Sequence, residues 1–144
     1  LPLRVAAHCA GAGLVAQFLT EHPAIARVYY PGLASHPGHA VAAKQSSDYG
    51  AIVSFELNTS LEETIQFTKS LRLWTLAESL GSVKSLFCHP PTMTHAAVEP
   101  EVRRKVGIAD GLIRLSIGLE DPADLIDDLT QALERVRVLA EQEA

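Results

Sequence analysis

Cysteine is scarce in this chain: Cys9 and Cys88 are the two present, far apart and without a C-x-x-C spacing. That argues against a disulfide scaffold and sets a reduced, cytoplasmic location as the expectation. Basic residues are also few, 12 Lys and Arg against 17 Asp and Glu, for a formal net charge of −5. Phosphate recognition relies on clustered Lys and Arg, and here they are scattered, so no nucleic-acid partner is expected. No apolar run approaches the ~20 residues of a membrane span, and the opening residues lack the charged start and apolar stretch of a signal peptide, so no membrane partner is expected either. Internal repeats, low-complexity tracts and linkers are missing as well. An initiator Met is lacking too: Leu1-Pro2-Leu3-Arg4 leads straight into a helix-like stretch, which sets the expectation that residues 1–144 are part of something longer.

What is present is the composition of one packed domain. The chain is 47% hydrophobic and 20% charged over 144 residues. A chain of that length buries roughly two thirds of its unfolded surface.

The pattern alternates helices with short strands. Residues 3–21 are Ala-rich with Leu14 and Phe18 on an apolar stripe, Gly11 and Gly13 allow close packing or a kink, and His22-Pro23 closes the helix. A strand is expected over 25–30, closed by the Pro31-Gly32 turn, and a helix from His36-Pro37 to Gln45 with Pro37 suited to the first helical position. Residues 51–57 read as a strand. Ser60-Leu61-Glu62-Glu63 is a capping box opening a helix to about Leu71. A short strand over 73–76 enters the turn Ala77 to Gly81, and a charged helix runs from Pro100 to Val106, stopped by Gly107. Asp121-Pro122-Ala123-Asp124 starts the last helix. There Leu125, Leu129, Ala132, Leu133 and Val136 form the core stripe, with Asp127, Asp128, Glu134 and Arg135 facing water. The expected fold class is α+β, with helices layered on a small, largely antiparallel sheet.

The chemistry centres on residues 111–118, Gly-Leu-Ile-Arg-Leu-Ser-Ile-Gly. Ile113, Leu115, Ile117 and Leu119 alternate with Arg114, Ser116 and Gly118, the period of a strand with one buried face. Arg114 is then the one cation on the other face. A guanidinium in an apolar β-rich run loses hydration and needs a compensating anion or several acceptors. That partner is a protein acid, in which case Arg114 serves a structural salt bridge, or the carboxylate of a ligand. Two histidine groups raise a metal alternative: His36 with His39 at helical spacing, and Cys88, His89 and His95. No third ligand has motif-like spacing in either, and Pro37 places His36 at a helix cap, so no metal is expected. His8, Cys9, Trp74 and Phe87 read as packing residues.

Several segments together resemble one family. They are Tyr30-Pro31-Gly32-Leu33 with Ser35-His36-Pro37, Thr75-Leu76-Ala77-Glu78-Ser79-Leu80-Gly81, Met93-Thr94-His95, Gly107 through Asp121, and Asp124 through Leu129. In this order they are similar to the C-terminal domain of the Cys/Met-metabolism family of pyridoxal-phosphate enzymes, and the match covers nearly the whole chain.

The resemblance implies the C-terminal, small domain of a fold-type I (aspartate aminotransferase-like) enzyme, in which a larger preceding domain, absent here, supplies the lysine that carries pyridoxal 5'-phosphate. No catalytic residue is then expected in this chain. It further implies transsulfuration: γ-replacement or γ-elimination on homoserine esters or cystathionine, as in cystathionine γ-synthase or γ-lyase, with a homoserine-ester sulfhydrylase or a methionine γ-lyase-type parent as neighbouring readings. Within the matching motifs Arg114 falls on the residue that grips the substrate α-carboxylate. Ser79, Leu80 and Gly81 fall on a turn beside that carboxylate, and Glu78 on an acid near the distal end of cystathionine. A small amino-acid substrate and a homotetrameric parent follow from the same likeness. Two positions depart from the family pattern: Gly81-Ser82-Val83-Lys84-Ser85 stands where Gly-Gly-x-Glu-Ser is common, and Gly11-Ala12 where Asn-Ala is usual.

Physical chemistry supports the assigned roles. A planar fork of donors fixes both the position and the angle of a carboxylate, whereas an ammonium fixes position alone. A hydroxyl in a turn before glycine, with backbone donors beside it, suits the same anion. A carboxylate at position 78 favours a second ammonium over an apolar tail. The competing class is a non-catalytic, free-standing interaction or regulatory module that keeps this fold.

Overall fold

The computed structural model describes residues 1–142, with side chains described through Val136. Five strands form one sheet in the order β1-β2-β5-β4-β3: β1 (Ile25–Tyr29), β2 (Ile52–Leu57), β3 (Thr75–Leu76), β4 (Leu86–Cys88) and β5 (Leu112–Ser116). The pairings β1–β2, β2–β5 and β5–β4 are antiparallel and β4–β3 is parallel, so the sheet is largely antiparallel as expected. The helices are α1 (Pro2–Glu21), α2 (His39–Gln45), α3 (Leu61–Ser70), α4 (Pro100–Lys105) and α5 (Pro122–Gln142), with a single 3₁₀ turn at Pro90–Thr92.

The two faces of the sheet have different fates because side chains alternate along each strand. One face carries Val53, Phe55 and Leu57 from β2, Ile113 and Leu115 from β5, and Phe87 from β4, all buried. Ala12, Val15, Ala16 and Leu19 of α1 and Leu125, Leu129, Ala132, Leu133 and Val136 of α5 complete that core. Gly11 permits the close approach of α1 to Ile117, just beyond β5, since a Cβ there would sit 3.1 Å from Ile117 Cγ2, whereas Gly13 has open space. His8 and Cys9 are packing residues, and the buried His8 ring donates from Nδ1 to Ile117 O and Gly118 O at 2.7 and 2.9 Å.

Helix starts follow their local chemistry. At α3 the Ser60 hydroxyl accepts from Glu63 N while the Glu63 carboxylate accepts from Ser60 N at 2.7 Å, closing the capping box. Those Ser60 bonds hold the Glu63 carboxyl below its usual range. At α5 Asp121 Oδ1 accepts from Ala123 N at 2.9 Å.

Three expectations need correction. Helix α2 begins at His39, not Pro37, because the His36 ring accepts from Gly38 N at 3.0 Å and holds the chain in a turn. The strand of residue 114 ends at Ser116, so Leu119 lies outside it and is 45% exposed. Asp128 does not face water: it is 5% exposed, and its carboxylate accepts from Arg72 N, Leu73 N and Gln131 Nε2 at 2.9, 2.8 and 3.0 Å. A charge on the core side of α5 thereby ties the α3–β3 connection to that helix.

Candidate carboxylate-binding site

Strand β5 lies at the centre of the sheet, and the face opposite the core carries a row of directly opposed residues: Tyr29, Ser54, Arg114 and Cys88. Arg114 is half-buried in that row. Its Nη2 donates to the carbonyls of Ser79 and Glu78 at 3.1 and 3.3 Å, and its Nε is buried with no hydrogen-bond partner. Among the described residues the ion pairs are Arg103 and Arg104 with Asp110, at 3.3 and 3.1 Å, and no protein acid pairs with Arg114.

Cys88, next to Arg114 across the sheet, leaves that charge uncompensated. Burial pushes its thiol up from the usual range, the nearby Glu78 charge adds to the rise, and the opposing pull of Arg114 and of a hydrogen bond with Thr94 does not reverse it. The thiol is therefore neutral at pH 7. The guanidinium meets two carbonyls and a thiol, and its buried Nε–H is an orphaned donor. Such a donor set fits a carboxylate.

Arg114, Glu78 and Ser79 are brought together, but through main-chain carbonyls of the turn and not through the side chains of Glu78 and Ser79, which are exposed. Leu80 is 58% exposed beside them. Gly81 has a φ of 76°, a backbone that a side chain disfavours, and its N–H donates to Ser116 Oγ at 2.9 Å. Downstream, the Glu120 carboxylate accepts from Ser85 N and Ser85 Oγ, each at 2.8 Å. Ser85 Oγ accepts in turn from Gly118 N at 2.8 Å. Burial pushes the Glu120 carboxyl up, yet bonds from Ser85 and from its own N–H, with the nearby His8, hold it below the ordinary value. Lys84 is exposed at the edge of this clasp.

Strand β4 was not expected from the sequence, and it is what puts Cys88 beside Arg114. Its three residues are all buried, so no alternation marks them, and the buried Ser85 that leads into it is the nearest signal. His89 beyond it is structural: Nε2 donates to Asp110 O at 2.9 Å and Nδ1 accepts from the Thr92 hydroxyl at 2.8 Å. His39 donates from Nδ1 to Pro31 O at 2.7 Å. Among the described residues no group of three or more His, Cys, Asp or Glu is placed to hold a metal ion, and no helix is long and apolar enough to cross a membrane.

Residues 1–134 match the model of a family described as Cys/Met metabolism PLP-dependent enzyme. An L-methionine gamma-lyase of Fusobacterium nucleatum subsp. polymorphum is 48% identical over 134 residues, which is 93% of this chain and 34% of that protein. A cystathionine beta-lyase of Lactococcus lactis subsp. cremoris is 50% identical over 135 residues, 94% of this chain and 35% of the relative. The solved cystathionine gamma synthase of Xanthomonas oryzae pv. oryzae, in complex with cystathionine, superposes with a TM-score of 0.89 at 47% identity, covering 95% of this chain and 35% of that one. The chain thus spans about a third of the length of the curated relatives it matches.

Proposed function

Since the chain belongs to the Cys/Met metabolism family of PLP-dependent enzymes, we propose that residues 1–144 are the smaller, C-terminal domain of a transsulfuration enzyme that grips the α-carboxylate of its amino-acid substrate through Arg114. The observation that carries this reading is the uncompensated guanidinium, with two carbonyl partners and an orphaned Nε–H, on the sheet face away from the core.

Pyridoxal 5'-phosphate, when bound, supplies the electron sink for bond breaking at the amino acid. In this reading it is held mainly by residues outside this chain, which also include the cofactor lysine, so this chain alone is inactive. Arg114 does the positioning. The bond to be cleaved must stand perpendicular to the cofactor ring, and a two-point grip on the carboxylate sets that angle. The carbonyls of Glu78 and Ser79 aim the guanidinium, and Ser79 adds a hydroxyl at the rim.

The Glu78 carboxylate, exposed at that rim, attracts the distal ammonium of cystathionine and favours it as substrate; homoserine esters are proposed beside it from the family likeness alone, with elimination or replacement at the γ-carbon. The relatives named for cystathionine and methionine lyases support the class of substrate. The active protein is a cytoplasmic homotetramer, which light scattering of the whole enzyme tests. Steady-state assays of the intact enzyme on cystathionine, on methionine, and on homoserine esters with cysteine test the substrate. Glu78→Gln lowers kcat/KM for cystathionine by about two- to fivefold and leaves methionine turnover nearly unchanged. Equal effects on both substrates remove Glu78 from substrate selection.

A further inference from the structure

Arg114 and Ser116 are two residues apart on β5 and therefore point to the same face of the sheet. Both hold the same turn, at different atoms. Arg114 donates to the carbonyls of Glu78 and Ser79, while the Ser116 hydroxyl oxygen accepts from Gly81 N at 2.9 Å. Ser116 is 1% exposed, so its hydroxyl is shielded from competing water. Gly81 sits at a φ of 76°, where the backbone turns sharply and its N–H is aimed back at the strand. The rest of the segment is anchored at its ends, by Ala77 N donating to Phe87 O at 2.9 Å and by Leu119 N donating to Val83 O at 2.8 Å. Between those anchors the tie that fixes the height of the turn over Arg114 is the Ser116–Gly81 bond.

We propose that Ser116 is a positioning residue for the carboxylate site: by holding Gly81 N it fixes the carbonyls of Glu78 and Ser79, and these fix the plane of the Arg114 guanidinium. The inference rests on the reading of Arg114 as the carboxylate grip and adds a residue that never touches substrate. Released from Ser116, the turn rises, the two carbonyls leave Nη2, and the guanidinium samples several rotamers. Substrate then has to order the arginine on binding, which weakens the grip without removing any contacting group.

The experiment compares intact, cofactor-loaded enzyme with Ser116→Ala, Ser116→Cys and Arg114→Lys. The Ala variant keeps the shape and removes the acceptor; the Cys variant keeps the bulk with a weak acceptor, and covers the case in which the Ala variant fails to fold. Two readouts are taken: kcat and KM for the amino-acid substrate, and hydrogen–deuterium exchange of the amides over residues 77–81 without substrate. Ser116→Ala raises KM about tenfold, changes kcat less, and speeds exchange at Gly81, with Ser116→Cys falling between it and the wild type. A KM within about twofold of wild type in the folded variants, or unchanged exchange at Gly81, overturns the role of Ser116. Should Arg114→Lys also leave kcat/KM unchanged, the carboxylate grip itself fails. Those outcomes are separable because exchange reports the turn whether or not Arg114 meets a substrate.

Discussion

Replacing Asp128 with Ala removes the carboxylate that ties α5 to the connection between α3 and β3. Three donors lose their acceptor: Arg72 N, Leu73 N and Gln131 Nε2. An unsatisfied buried donor costs about 1–3 kcal/mol, and the Gln131 amide keeps its bonds to Ser70 O and Asp128 O, so two main-chain N–H groups dominate. Arg72 and Leu73 are exposed residues whose amides regain some water, which places the loss at about 2–4 kcal/mol. Asp128→Asn keeps one acceptor oxygen and loses about 1–2 kcal/mol. Equilibrium urea denaturation measures both: with a slope of about 1–3 kcal/mol per molar, the Ala variant moves the midpoint down by about 1–2 M. A midpoint for Asp128→Ala within the scatter of the wild type would refute the tie and return Asp128 to the solvent-facing set.

Other consequences follow from the same contacts. Gly118→Ala places a methyl 2.5 Å from both Ser85 N and Val83 O and against the Glu120 carboxylate, so it opens the clasp behind the 78–81 turn; thermal melting shows a loss of more than about 3 kcal/mol, and an unchanged melting temperature contradicts the packing. Acid destabilises the fold in two stages. Burial, foremost, lowers the pKa of His89 despite the bond to Asp110, so the unfolded state binds the proton first, and stability present above the ordinary value of 6.5 falls as pH drops below it. Glu120 is held below its ordinary 4.5, so its contribution is lost as pH falls below that value. Urea midpoints between pH 7 and pH 3 check both, and His89→Gln flattens the upper stage.

Much of the fold was legible because single residues dictated it. Ser60 with Glu63 and Asp121 with Pro122 marked two helix starts through bonds that involve neighbouring residues alone. The alternation around Arg114 placed it on the face away from Ile113 and Leu115. What the sequence hid depends on long-range partners. Nothing around Leu86–Cys88 signals a strand, because both faces of β4 are buried and its pairing is set from outside the segment, by β5 more than twenty residues on and by the two-residue β3 before it. Asp128, three residues after Leu125 and four before Ala132, falls on the core stripe of α5 by helical period; its charge argued for solvent, and the partners that let it stay buried, Arg72 N and Leu73 N, come from the distant α3–β3 connection. The turn at residues 78–81 was expected beside Arg114 from the family likeness alone, and its contact through carbonyls was not, since side-chain identity says nothing of which main-chain atoms face a cation.

Arg114 is proposed to hold the substrate carboxylate. Arg114→Lys keeps the charge and removes the fork, and the most direct measurement is kcat/KM of the intact enzyme for an amino-acid substrate beside the same compound without its α-carboxylate. The expected result is a fall of about a hundredfold, ~2.7 kcal/mol, for the carboxylate-bearing substrate and little change for the other. An unchanged kcat/KM for the amino acid, or equal losses on both compounds, contradicts it.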